Sequence, residues 1–188
     1  MRVIAGEWRG RRLIAPKGDA TRPTADRTRE TLFSMLTSRL GSFEGLRVAD
    51  LFAGSGALGL EAMSRGAASC LFVDQDPDAV RAIRANVETL GLRDRAVVLP
   101  GSVMALGPVT TPYDLVLLDP PYDTGAGQVA IDRLRRLGWI GAQTWLSLET
   151  FMKETVELKG FEIDASRKVG KARLTLLRLA HDEPAALS

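Results

Sequence analysis

The chain has one cysteine, Cys70, and one histidine, His181, in 188 residues. A lone thiol cannot close an internal disulfide, and these two side chains supply neither a Cys/His metal set nor a Cys–His nucleophile. No metal site is therefore expected. Long apolar runs are also missing: none approaches the roughly 20 residues needed to span a bilayer. The start, Met1-Arg2-Val3-Ile4-Ala5-Gly6-Glu7, lacks the apolar stretch of a secretory leader. These absences predict a cytoplasmic chain with no membrane association and a reduced Cys70. There is no internal repeat, no low-complexity linker and no sign of an obligate protein partner.

What is present suits one compact domain with a full core: 45% hydrophobic and 26% charged residues. The net charge of +2 conceals an asymmetry, because residues 1–40 hold nine Lys/Arg against four Asp/Glu while the remainder holds an acidic excess. A basic arm on a near-neutral body is the footprint of a polyanion-binding extension. Arg2, Arg9, Arg11, Arg12, Arg22 and Arg27 are its candidate nucleic-acid contacts. The expected division is an arm and helix over 1–40, a catalytic domain over 41–180 and a disordered tail over 181–188.

Short β-like pieces, Val3-Ile4 and Arg12-Leu13-Ile14, alternate with Gly6, Gly10, Pro16 and Gly18, which predicts a hairpin or extended arm. Thr24 is placed to cap a helix whose apolar stripe is Leu32, Leu36 and Leu40, with Arg27 and Arg29 on its polar side. From Leu46 strands and helices alternate: strand 47–52, helix from Leu58, strand 69–74, helix 77–90, strand 96–99, strand 113–119, helix 129–137 and strand 144–149. This pattern builds a parallel α/β sheet. The final strands, 161–167 and 173–179, are joined by a link too short for a crossover and should form an antiparallel hairpin.

Asp50-Leu51-Phe52-Ala53-Gly54-Ser55-Gly56-Ala57-Leu58-Gly59 joins a strand to a helix through small residues that let a ligand approach the backbone. Gly54, Gly56 and Gly59 also satisfy the dinucleotide pattern G-x-G-x-x-G, with Asp74 where a ribose-binding carboxylate belongs, so the loop alone leaves an NAD enzyme open. Asp50 argues against a diphosphate: a carboxylate just before the loop repels phosphate and attracts an ammonium or sulfonium. Asp74 then accepts hydrogen bonds from ribose hydroxyls.

The strand Leu115-Val116-Leu117-Leu118 runs into Asp119-Pro120-Pro121-Tyr122, where proline ends the sheet ladder. Asp119 is thereby expected with Asp50 and Asp74 at the carboxyl edge, the ligand crevice of open α/β sheets. The exocyclic amine of a base is a weak nucleophile that must be oriented. The Asp119 carboxylate and the Pro120 carbonyl can accept its two hydrogens, Pro121 stiffens the turn and Tyr122 offers a stacking face.

With these motifs in view, the sequence resembles class I methyltransferases acting on nucleic-acid amino groups. Gly6-Glu7-Trp8-Arg9-Gly10-Arg11, Arg22-Pro23-Thr24-Ala25-Asp26-Arg27 with Glu30-Thr31-Leu32-Phe33, and Ala53-Gly54-Ser55-Gly56-Ala57-Leu58-Gly59-Leu60-Glu61-Ala62 resemble the RsmD type. The resemblance runs from Arg2 to about Leu179. It implies a Rossmann-like, seven-stranded, mostly parallel sheet with a reversed last strand. It further implies S-adenosylmethionine as methyl donor, S-adenosylhomocysteine as product, and a substrate guanine N(2) amine in bacterial 16S ribosomal RNA, numbered 966 in the family, within a small-subunit particle. Asp50, Ala53, Gly54, Ser55, Gly56 and Asp74 would hold the donor. Where many relatives have an acidic residue near the adenine, this chain has Ser102-Val103, so the Ser102 hydroxyl or a backbone N–H takes that role.

Three rivals remain at this stage: a DNA amino-methyltransferase, a catalytically silent RNA-binding assembly factor and, a distant third, an NAD dehydrogenase. Trp8 either stacks on a base or anchors the arm to the core. Trp139, Trp145 and Cys70 read as core residues, Asn86 as a brace for neighbouring backbone, and Glu149 as a residue that faces the crevice or caps its strand.

Overall fold

The computed structural model describes residues 1–17 and 23–181. Arg22 and the tail beyond His181 therefore lie outside the described residues. Seven strands, β1 (Arg47–Leu51), β2 (Ser69–Asp74), β3 (Ala96–Pro100), β4 (Leu115–Leu118), β5 (Trp145–Phe151), β6 (Phe161–Val169) and β7 (Ala172–Leu179), form one sheet. Their order is β3-β2-β1-β4-β5-β7-β6. The first five run parallel, and β7 lies antiparallel to both β5 and β6. This is the expected Rossmann-like sheet with a reversed final strand.

Among the described residues four α-helices accompany it: α1 (Pro23–Leu40), α2 (Ala57–Ser64), α3 (Pro77–Thr89) and α4 (Ala126–Arg136). One apolar layer joins Leu32, Phe33 and Leu36 of α1 to Leu60, Phe72, Ile83 and Leu115. The layer on the opposite face joins Val116 and Leu118 to Ile131, Leu134 and Trp139. Trp139 and Cys70 are core residues, each 2% exposed, and Trp145 packs against the core half-buried. Among the described residues no helix is long and apolar enough to cross a membrane.

Several boundaries moved for local reasons. β1 stops at Leu51 because Phe52 adopts φ +58°, which an extended strand cannot continue. α1 begins at Pro23, one residue before the position expected of a Thr24 cap. α4 begins at Ala126 rather than Val129, directly after left-handed Gly125. Arg29, placed by spacing on the polar side of α1, is 5% exposed. Its guanidinium is turned inward to the Arg2 carbonyl and to Asp26.

Residues 1–17 form the expected hairpin, with an antiparallel bridge between Arg2 and Arg12 and hydrogen bonds from Val3 N to the Arg11 carbonyl and from Gly10 N to the Val3 carbonyl, both 2.9 Å. Gly6 lets this arm touch α2: a Cβ there would lie 1.9 Å from the Ser64 carbonyl oxygen. Trp8, 8% exposed, is buried in the core layer beneath the arm, which settles its role as an anchor.

Candidate active site

The parallel register sets the geometry. Leu51 pairs with Val73 and Leu118, and Leu118 with Leu148. One residue further along each strand come Asp74, Phe52, Asp119 and Glu149, at one level of the carboxyl edge. Adjacent strands are about 4.8 Å apart, so this is a compact row. Three acidic side chains in it disfavour a diphosphate and suit a cationic ligand.

Asp50 departs from the expectation. It pairs with Phe72 and Leu117, below that level, and is 0% exposed. Its Oδ2 accepts the Gly59 N–H at 2.8 Å, while Oδ1 has no partner among the described residues. Burial pushes its carboxyl up to about 8, with nearby Asp74 adding to the rise and the Gly59 N–H opposing it. In the ligand-free chain it is therefore mostly protonated at neutral pH. Through Gly59, Asp50 fastens the start of α2 beneath the loop.

The loop itself is built for close approach. Gly54 has φ +58°, and the space where its Cβ would stand is open. Its N–H donates to Asp74 Oδ2 at 2.8 Å, and Asp74 Oδ1 accepts the Asp76 N–H at 2.9 Å. Each carboxylate oxygen keeps a second lone pair for a ligand hydroxyl. Gly59 serves packing: a Cβ there would meet the Phe72 ring at 2.5 Å and Cys70 Sγ at 2.6 Å. Ala53 is half-buried, whereas Ser55 and Gly56 are buried and turned toward the protein. The Ser55 hydroxyl reaches Met1 Sδ at 3.3 Å, and its carbonyl accepts from Asn86 at 3.0 Å. Asn86 also accepts from Ile14 N at 2.7 Å and donates to the Ile14 carbonyl at 2.9 Å, so the expected brace ties the arm to the glycine loop.

The Ser102 hydroxyl accepts the Met104 N–H at 3.2 Å and caps a short 3-10 turn, Val103–Ala105, which leaves its own hydrogen to donate. Val103 is a core residue, 3% exposed beside Leu51 and Val73.

Asp119 is exposed at the end of β4, Pro120 is buried, and Pro121 and Tyr122 are exposed. The Tyr122 hydroxyl donates to Glu149 Oε1 at 2.7 Å, and its ring lies 6.0 Å from that of Phe151. Burial, the hydrogen bond to Glu149 and the charges of Glu149 and Asp119 together hold the Tyr122 phenol above its usual range. Desolvation likewise raises the Glu149 carboxyl, against the bond from Tyr122. Glu149 and Phe52 stand level with Asp74 and Asp119 in this row, and motif reading left them aside. Only the position of Glu149 after an apolar strand hinted at the crevice, and nothing in composition marked Phe52 for a left-handed backbone.

Arg2, Arg9, Arg11, Arg12 and Arg27 are exposed. The arm that carries the first four is fixed to the body through Glu61, whose carboxylate accepts Ile4 N at 2.8 Å and Ala5 N at 3.0 Å. Ser64 Oγ accepts Trp8 N at 3.0 Å. Among the described residues no cluster of His, Cys, Asp and Glu could hold a metal ion.

Comparison with known proteins bears on this arrangement. A family model described as "Conserved hypothetical protein 95" matches residues 1–178. The chain is 37% identical over 150 residues to "Ribosomal RNA small subunit methyltransferase D" of Escherichia coli (strain K12), covering 80% of this chain and 74% of the relative. It is 36% identical over 154 residues to the protein of the same name from Haemophilus influenzae, covering 80% and 78%. Among solved structures, the Escherichia coli protein described as "Putative methyltransferase yhhF" superposes with a TM-score of 0.82 at 33% identity, over 96% of this chain and 99% of that one.

Proposed function

The chain belongs to the ribosomal RNA small subunit methyltransferase D family, and on that premise we propose that it methylates the exocyclic N(2) amine of a guanine in 16S ribosomal RNA, with S-adenosylmethionine as donor. The observation that supports this reading is the row Asp74, Phe52, Asp119 and Glu149, with the carboxylates of Asp74 and Asp119 on either side of the strand that leads into the glycine loop; on this reading the first binds ribose and the second orients the amine.

When bound, the donor supplies a methyl group on a cationic sulfur and leaves as S-adenosylhomocysteine. The residues present fit it: half-buried Ala53 and Gly54 offer backbone that a ligand can approach, Asp74 offers acceptors to ribose hydroxyls, and the Ser102 hydroxyl offers a donor toward the adenine. Asp50, Ser55, Gly56 and Val103 act from behind, holding the loop and the 3-10 turn in place. Asp119 and the Pro120 carbonyl each accept one hydrogen of the target amine, so that its lone pair points toward the donor. The Tyr122 ring stacks on the extruded base, a contact worth about 1–3 kcal/mol. The exposed arginines Arg2, Arg9, Arg11, Arg12 and Arg27, together with Arg22, which lies outside the described residues, bind phosphates and form an RNA-binding extension to the catalytic domain over 41–180. The substrate is rRNA within a small-subunit particle, which puts the enzyme in the cytoplasm.

The test is to incubate the enzyme and labelled donor with unmethylated 30S particles, naked 16S RNA and DNA, and to map the modified nucleotide. The expected outcome is N(2)-methylguanine at a single 16S position, the family's 966. Methyl transfer to adenine or cytosine of DNA would overturn the reading, as would RNA binding without donor binding.

A further inference from the structure

We propose that Glu149 is the residue that selects guanine, by accepting the N1–H of the target base beside the amine held by Asp119. This deepens the guanine N(2) reading and rests on it. The register Leu118↔Leu148 sets Asp119 and Glu149 side by side on neighbouring parallel strands, about one strand spacing apart. The Tyr122 hydroxyl, bonded to Glu149 Oε1 at 2.7 Å, fixes that carboxylate at the edge of the face on which the base would stack. One hydroxyl occupies one of roughly four acceptor positions on a carboxylate, so Glu149 retains capacity for a second donor.

The chemistry of the bases makes this pair discriminating. Cytosine and adenine each have an exocyclic amine next to an unprotonated ring nitrogen, N3 or N1, that presents a lone pair along the Watson–Crick edge. Guanine alone has its amine next to a ring N–H on that edge. Two carboxylates side by side therefore match guanine donor for acceptor. Against adenine or cytosine, the acceptor capacity that Tyr122 leaves on Glu149 would face another acceptor, a repulsive contact in place of a hydrogen bond. Sites built to hydrogen-bond a donor reject analogues lacking it far more strongly than apolar pockets reject a missing methylene. The same carboxylate thus has two duties, orienting Tyr122 and reading N1, and the two can be separated.

2-Aminopurine separates them, because it keeps the C2 amine but has no hydrogen on N1. The substrate is the RNA or particle identified by nucleotide mapping, carrying either guanine or 2-aminopurine at the target. The native enzyme is expected to favour guanine in kcat/KM by about 10- to 100-fold, the range for one hydrogen bond to a charged group. Glu149→Gln, whose amide can donate to an unprotonated N1, is expected to reduce that preference about tenfold or more. Tyr122→Phe keeps the carboxylate and should slow both substrates together with the preference intact. Because each variant is judged by a ratio, partial misfolding cancels. A preference unchanged in Glu149→Gln, or absent in the native enzyme, overturns the assignment while leaving guanine methylation standing. A native enzyme that does not methylate the guanine substrate overturns the functional reading and this inference with it.

Discussion

Glu61 and Asp50 are both 0% exposed and sit on consecutive elements, yet their surroundings are opposite. Glu61 faces the arm and is saturated: it takes two backbone N–H groups and the Arg65 guanidinium at 3.0 Å, with Arg29 Nε 3.9 Å away. Asp50 faces the ligand loop and receives one N–H, leaving an oxygen without a partner among the described residues. Burial is the same, so the difference lies in how many donors the fold supplies. The arm side of α2 is built for permanence, with both oxygens of Glu61 bonded by the chain itself. The ligand side leaves one Asp50 oxygen without a partner among the described residues and keeps acceptor capacity in reserve at Asp74 and Glu149, where a bound molecule can use it.

If that contrast is right, mutations on the two sides should fail differently. Asp119→Ala, at the ligand edge, is expected to lower kcat by about 10²- to 10⁴-fold, the usual worth of a positioned acceptor, with melting temperature nearly unchanged because Asp119 is exposed. Single-turnover methyl transfer and calorimetry on the same preparation check both halves. Near-native turnover would remove Asp119 from the mechanism.

Glu61→Ala should do the reverse. It strips the partner from a buried arginine and two backbone donors, a loss of about 3–5 kcal/mol, or roughly 10 °C in melting temperature for a chain of this size. The arm should become sensitive to proteolysis while the affinity of the body for the donor changes far less. A melting temperature within a degree or two of native would show that the arm is held by Trp8 and its apolar neighbours alone.

Asp50→Asn sharpens the comparison from the poised side. The folded residue keeps its proton to about pH 8, whereas the unfolded one releases it near the ordinary aspartate value of 3.8. Between those values the folded state holds one more proton, so this contribution to stability is complete below about pH 4 and is lost as pH rises through 8. Asparagine removes the dependence and retains the oxygen that accepts from Gly59. The ligand-free variant should match the native protein at pH 4 and melt above it at pH 8. Parallel curves would mean that Asp50 titrates near its ordinary value.

The same contrast explains what could be read from sequence. The alternation of elements, the final hairpin, the glycine loop and Asp119-Pro120-Pro121-Tyr122 are local patterns, set by periodicity and by proline's missing donor. Depth is not local. Asp50 lies below Asp74 and Asp119 because the parallel register pairs it with Phe72 and Leu117, and register between distant strands is not carried by any local side-chain pattern. Arg29 looked solvated by spacing because the acceptor that draws it inward, the Arg2 carbonyl, belongs to a different segment. Glu149 escaped motif reading because its partner Tyr122 is on another strand's loop and only the parallel register joins them.

The smallest effect tests whether the saturated side is a platform for RNA rather than part of the chemistry. Arg11 is exposed, and its backbone carbonyl, not its side chain, completes the hairpin. Arg11→Ala should therefore leave the arm's structure and the melting temperature alone. If the side chain contacts a phosphate, RNA affinity falls only a few-fold at physiological salt, and the slope of log affinity against log salt becomes shallower by about one. The donor, which is handled at the opposite end of α2, should bind as before. A salt titration of RNA binding for native and variant protein reads this directly. An unchanged slope would remove Arg11 from the interface and leave Arg2, Arg9, Arg12 and Arg27 as the exposed cations through which the arm can hold RNA.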